Sequence, residues 1–312
     1  MRTVSRLVIG MILLGMATGC SDEDEGYTRQ ELLIARGGYL VEHVSACGDC
    51  HTPRTMTGQL DRTRWLAGVP VFADLDPGNP NVGAIGAPNL TPDATGLQAW
   101  TDQQIKRAMQ DGWDAANEAL FPIMPYWVYH NMTSFDADAI VAYLRSVAPQ
   151  NNTIPPRQPL GFPFLTPADP IPIISIPSST LPVADPHFTK AQRGRYLAGM
   201  VGVCIDCHSP ESPGPVPARL DSLFAGGRGF GPGTFSANIT PAASGIANMT
   251  VAQIIAVLKQ GVDETGEPIC PPMPVGPNGA YGGLSDTDAE AIAHYLKTIP
   301  PIAHTVPDCM VP

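Results

Sequence analysis

The chain has 312 residues, of which 34 are proline, 31 are glycine and only 15% are charged. That length suits two domains of ordinary size, and so much proline and glycine calls for short helices and long loops. A formal charge of −11 argues against a nucleic-acid partner; it suits a basic docking surface on a protein partner, or solubility alone.

Residues 1–20 read as a lipoprotein signal peptide. Arg2 and Arg6 form a basic end, and the apolar run Leu7–Ala17 is too short for a bilayer, which needs about 20 residues. The run ends at Ala17-Thr18-Gly19-Cys20, similar to the lipobox whose cysteine becomes the lipidated first residue. Ala17 departs from the usual leucine there, leaving plain signal cleavage as the alternative. Residues 21–26 then read as a solvated tether. The expectation is a protein exported and lipid-anchored to a bacterial membrane, facing the periplasm.

A first domain is expected over 27–147. Residues 28–46 have helical character, with Leu32, Ala35, Leu40 and Val44 as an apolar stripe. The stripe leads into Cys47-Gly48-Asp49-Cys50-His51, the Cys-x-x-Cys-His signature of c-type haem attachment. The spacing has a chemical reason. Two thiols three residues apart share a helical face and can form thioethers with two vinyl groups, and the next histidine offers an imidazole to iron. A single copy would leave zinc or redox-active thiols open. Thr101 to Gln104 is a capping box for a second helix, with Ile105, Ala108 and Met109 inward. A third helix follows Ser134 through Ile140, Tyr143 and Leu144.

Residues 148–186 hold 11 prolines, so no regular helix is expected. Leu160, Phe162, Phe164, Leu165, Ile171, Ile173, Ile174 and Ile176 are too apolar to stay in water. The segment reads as a proline-rich interdomain strap packed across the domains rather than a free linker.

The second domain, 187–298, repeats the first. Cys204-Ile205-Asp206-Cys207-His208 restates the motif, and Gly37, Tyr39 and Leu40 keep register with Gly194, Tyr196 and Leu197. Leu66-Ala67-Gly68 matches Phe224-Ala225-Gly226, Asn89-Leu90-Thr91-Pro92 matches Asn238-Ile239-Thr240-Pro241, and Thr250 to Gln253 is again a capping box. The fold expected is all-α, two tandem domains with a tail at 299–312, carrying two covalently bound haem c groups.

Each iron needs a second ligand or an open face. Met124 and Met273 each sit in Pro-x-Met-Pro, 35 residues after Asn89 and Asn238. Prolines on both sides stiffen a loop that can hold a thioether against iron. Met109, Met132 and Met249 read as core filler. His130 is a rival ligand in the first domain without a counterpart in the second, and His43 lies one turn before Cys47. Asn89 and Asn238 can donate to a haem propionate, hold the ligand loop, or simply form turns. After Cys20 and the four motif cysteines, Cys270 and Cys309 remain, and parity in an oxidising compartment pairs them as a disulfide.

With Trp100-Thr101-Asp102 and Met124-Pro125-Tyr126, these motifs resemble a tandem class I cytochrome c. They resemble in particular the multihaem cytochrome c subunits of membrane-bound bacterial alcohol, gluconate and aldehyde dehydrogenases. The resemblance implies iron held by His51 with Met124 and by His208 with Met273. It also implies single-electron relay between a dehydrogenase or other redox protein partner and the respiratory chain. Two haem motifs stand where three are common, and no amphipathic C-terminal anchor follows. No nucleophile elbow, phosphate loop or zinc-protease helix occurs, so an electron-transfer protein rather than an enzyme is expected. The alternative is a haem enzyme, such as a dihaem peroxidase or thiosulfate-oxidising cytochrome, with one exchangeable axial ligand.

Overall fold

The computed structural model describes residues 27–74, 83–156 and 165–307. The leader with Cys20, the apolar residues Leu160, Phe162 and Phe164, and Cys309 lie outside them. Among the described residues the chain forms nine α-helices and little sheet. The sheet is one antiparallel pair, β1 (Val69–Asp74) with β2 (Ala84–Ala87). Strands of six and four residues are too brief for alternation to register in sequence, which is why no hairpin was expected.

The element order recurs. Helix α1 (Arg29–Tyr39) opens on a capping box between Thr28 and Glu31 and runs on as a π-helical turn, Leu40–Val44. Helix α2 (Cys47–His51) follows. In the second half α6 (Phe188–Tyr196) runs on as a π-helical turn, Leu197–Val201, before α7 (Cys204–Cys207). Helices α3 (Asp102–Asp111) and α8 (Val251–Gln260) both start at capping boxes, Thr101 with Gln104 and Thr250 with Gln253. Both stop at a left-handed glycine, Gly112 or Gly261, the residue that takes this cap without strain. The first half adds a short α4 (Tyr126–Tyr129). Helices α5 (Ser134–Ser146) and α9 (Asp286–Thr298) close the halves, capped by the Thr133 and Ser285 hydroxyls.

In each half the first and last helices cross at a glycine. A Cβ on Gly37 would lie 1.9 Å from the Ala139 carbonyl oxygen, and one on Gly194 2.0 Å from that of Ala291. This crossing corrects the expected stripe of α1. Leu40 and Val44 are buried, but Leu32 and Ala35 face solvent. Leu32 is five residues from Gly37, about 140° around the helix, so it points away from the crossing.

The halves lock reciprocally. The Tyr39 hydroxyl donates to Asp288 Oδ2 (2.7 Å) and accepts from the Ser285 N–H (3.2 Å). The Tyr196 hydroxyl donates to Asp136 Oδ2 (2.7 Å) and accepts from the Thr133 N–H (3.2 Å). Both aspartates are buried and each pairs with an arginine of its own half, Asp136 with Arg36 and Asp288 with Arg193.

Residues 165–180 touch both halves. The Ile171 N–H donates to the Trp127 carbonyl (3.0 Å), and the Tyr295 hydroxyl donates to the Pro177 carbonyl (2.7 Å). Ile171 and Ile176 are buried, whereas Leu165, Ile173 and Ile174 are exposed, contrary to expectation. A tight turn, closed by the Ser175 N–H on the Pro172 carbonyl, leaves residues 173 and 174 at its apex.

Candidate functional site

Each cysteine turn ends on a buried histidine held the same way. His51 Nδ1 lies 2.8 Å from the Pro88 carbonyl oxygen, and His208 Nδ1 lies 2.7 Å from that of Ala237. A carbonyl only accepts, so Nδ1 carries the proton and Nε2 keeps its lone pair. Burial lowers the pKa of both rings, outweighing the carbonyl bond that acts the other way. The result is a neutral, oriented imidazole, the form that ligates a metal.

A second loop supports the histidine backbone. The Gly68 N–H donates to the His51 carbonyl (2.8 Å), and the Gly226 N–H to the His208 carbonyl (2.7 Å). Two residues earlier, Leu66 and Phe224 adopt φ of 58° and 66°, a strained region for such side chains. Thr52 Oγ1 and Ser209 Oγ accept the N–H groups of those residues, each at 3.0 Å. Asn89 and Asn238 fix the loop that carries the acceptor carbonyls. Their Oδ1 atoms accept from Thr91 and Thr240, both N–H and hydroxyl, at 2.8–2.9 Å. Asn89 Nδ2 donates to Thr95 and the Gln150 carbonyl, and Asn238 Nδ2 donates to the carbonyls of Ile302 and His304. The amide N–H groups are thus committed to the chain itself.

The four motif cysteines are free and partly buried. Burial pushes the thiols of Cys47 and Cys50 up to about 12 and Cys204 to about 11, with Cys207 raised further. Among the described residues no group of three or more Cys, His, Asp or Glu side chains converges on a metal position. That removes a zinc site built of such side chains within the described residues.

Met124 and Met273 are both partly buried against the core, in turns where the N–H of Tyr126 or Val275 donates to the methionine carbonyl at 2.9 Å. His130 is exposed and its Nδ1 is taken by Asp111 and the Gln110 carbonyl. His43 Nδ1 lies 3.1 Å from the Ala280 carbonyl, across the two halves. Cys270 is disulfide-bonded.

No protein-family model matches the chain. It is 30% identical to the fructose dehydrogenase cytochrome subunit of Gluconobacter japonicus, over 86% of this chain and 52% of that one. It is 25% identical to the cytochrome c subunit of a quinone alcohol dehydrogenase from Gluconobacter oxydans, over 95% of this chain and 60% of the relative. A diheme cytochrome c-type protein of Cereibacter sphaeroides is 26% identical over 86% of both chains. The chain is homologous to dehydrogenase cytochrome c subunits. It spans about half the length of the fructose dehydrogenase subunit. No helix among the described residues is long and apolar enough to cross a membrane.

Against these cytochrome c homologues, the two turns of this chain differ from each other in filling. A Cβ on Gly48 would lie 2.0 Å from the Trp65 ring, whereas the second turn carries the buried Ile205 at the matching position. Asp49 pairs loosely with the exposed Arg54 at 3.7 Å. Its counterpart Asp206 is bonded directly to Arg228, and burial still raises its pKa to about 6. In the sequence Leu66 and Phe224 stand out only as matched positions, and Thr52 and Ser209 only as the residues that follow each motif histidine. Their support of the histidines had no signal beyond that register.

Proposed function

We propose that this chain is a two-haem c-type electron carrier serving a dehydrogenase. The observation that carries the reading is the buried imidazole, built twice, with Nδ1–H on a backbone carbonyl and two thiols one and four residues before it. That donor set fits a covalently attached haem. Cys47, Cys50 and His51 hold the first haem, and Cys204, Cys207 and His208 the second. Met124 and Met273 are the sixth ligands, from turns of like geometry. Asn89 and Asn238 brace the loop that aims each histidine rather than reaching the ring, because their N–H groups are already bonded. A bound haem supplies a one-electron couple near neutral pH, with a thioether ligand favouring the reduced form.

The surrounding architecture is two tandem cytochrome c domains, 27–147 and 187–298, joined by the strap 148–186. Cys270 bonds Cys309, tying the tail to the loop of Met273. Cys20 carries the lipid of a membrane anchor, and the protein works in the periplasm, passing electrons toward the respiratory chain. Supporting this are the dehydrogenase cytochrome subunits among the relatives and the protein named diheme.

The test is chemical and spectroscopic. Haem should survive acid-acetone extraction, and the pyridine haemochrome should count two per chain. Met124→Ala and Met273→Ala should each keep both haems, lower one midpoint potential and admit an external ligand to one iron. Wild-type spectra in both variants would refute the methionine assignment.

A further inference from the structure

The stretches entering the two cysteine turns touch each other. Ser45, two residues before Cys47, donates from Oγ to the Val201 carbonyl (2.8 Å), three residues before Cys204. A Cβ on Gly202 would lie 3.4 Å from the Val44 carbonyl oxygen. Ser45 is 3% exposed, so this bond is closed to water. Its own carbonyl accepts from the buried Tyr129 hydroxyl at 2.9 Å.

Tyr129 braces this contact: it is buried, and its hydroxyl bond to the Ser45 carbonyl holds the residue whose side chain crosses to Val201. Burial holds the Tyr129 hydroxyl well above the usual phenol range. Tyr129 is not needed to attach or ligate a haem. The far end of the same interface is held by Tyr39 and Tyr196, so the approach of the turns is fixed at two places.

We propose that Ser45 and Tyr129 are positioning residues that hold the two attachment turns against each other as one coupled pair. This rests on the two-haem reading above. Haems held by Cys47 and Cys50 and by Cys204 and Cys207 would be brought near each other by turns held together. Such a pair would supply two one-electron couples able to exchange an electron within the same chain, with no bond made or broken and no proton moved. An electron accepted at either half becomes available at the other without a second docking event.

Two nearby haems couple as chromophores, and each added electron makes the next harder to add. The intact protein should give a two-signed Soret couplet in circular dichroism. Its reductive titration should spread over macroscopic potentials that belong to the pair. Ser45→Leu inserts a wedge where water and slack are absent; it should retain both haems while most of the couplet amplitude is lost. Tyr129→Phe keeps the ring but removes the hydroxyl bond to Ser45, and should shrink the couplet less while shifting the interaction between the two potentials. Two covalent haems with no couplet in the wild type would overturn this inference alone. So would a full couplet in both altered proteins. Fewer than two haems would refute the functional reading and this inference with it.

Discussion

Changing Tyr39 or Tyr196 to phenylalanine tests whether the reciprocal lock joins the halves. In each case the ring remains and one hydroxyl is lost. That hydroxyl donates at 2.7 Å to a carboxylate oxygen of an aspartate no more than 3% exposed. A hydrogen bond to a charged group contributes about 1.5–3 kcal/mol, and a buried acceptor left unmatched adds its desolvation cost. Arg36 and Arg193 still pair with the aspartates, which limits the damage. We expect a loss of about 2 kcal/mol per tyrosine, read as a Tm lower by roughly 4–8 °C in a cooperative unit of this size. The two losses should be equal within about 0.5 kcal/mol, because the two sites make the same set of bonds, and they should add. The assay is thermal and urea unfolding of the intact protein, followed by circular dichroism. Tyr39→Phe combined with Asp288→Asn should cost less than the sum of the two changes, since they remove one interaction. Single variants that unfold with the wild type, or a cycle without coupling, would show that these bonds contribute nothing to the joint.

Gly37→Ala and Gly194→Ala should each destabilise by about 1–3 kcal/mol, since a methyl group meets backbone that cannot move aside; unfolding midpoints equal to wild type would contradict the helix crossings. His294 stacks on His187 with ring centroids 4.3 Å apart, beside Glu290 and Lys190. Burial foremost, then His187 and Lys190, lower the His294 pKa, against the opposing pull of Glu290. The unfolded chain therefore binds its proton more readily, and the stability this ring contributes is present above about 6.5 and lost as pH falls through its lower folded value. Urea midpoints across pH 7 to 5 should fall less steeply in His294→Gln, and an unchanged slope would show that His294 does not titrate in this way.

Helix starts were legible because they are local: Thr101 with Gln104 and Thr250 with Gln253 cap the helices their spacing announces. The matched register also picked out Tyr39 with Tyr196 and Leu66 with Phe224. What those residues do was not legible. Register identifies equivalent positions but not which copy a side chain touches, and Tyr39 crosses to Asp288 of the other half. Nor does a leucine or phenylalanine advertise a positive φ, a conformation imposed by the loop bonds under each histidine. Leu32 and Ala35 were misread for a related reason. Burial along α1 is set by where its glycine meets α5, and glycine carries no hydrophobic signal.

The matched backbones and unmatched fillings together show how one architecture can carry two histidine turns in unlike surroundings. The bonds that orient His51 and His208 run almost entirely through backbone carbonyls, N–H groups and small hydroxyls, so they tolerate change in the surrounding side chains. The filling differs between the turns: Gly48 admits Trp65, while the second turn carries the buried Ile205 at the matching position. Charge is redistributed as well. Asp206 is bonded to a largely buried arginine, whereas Asp49 has only the exposed Arg54 at 3.7 Å. An ion pair shielded from water acts on its neighbours through a lower dielectric than one open to solvent. The second site therefore experiences a fixed, weakly screened field and the first a screened one. Two turns that orient their histidines alike are in this way set in different charge environments by side chains that take no part in holding either imidazole.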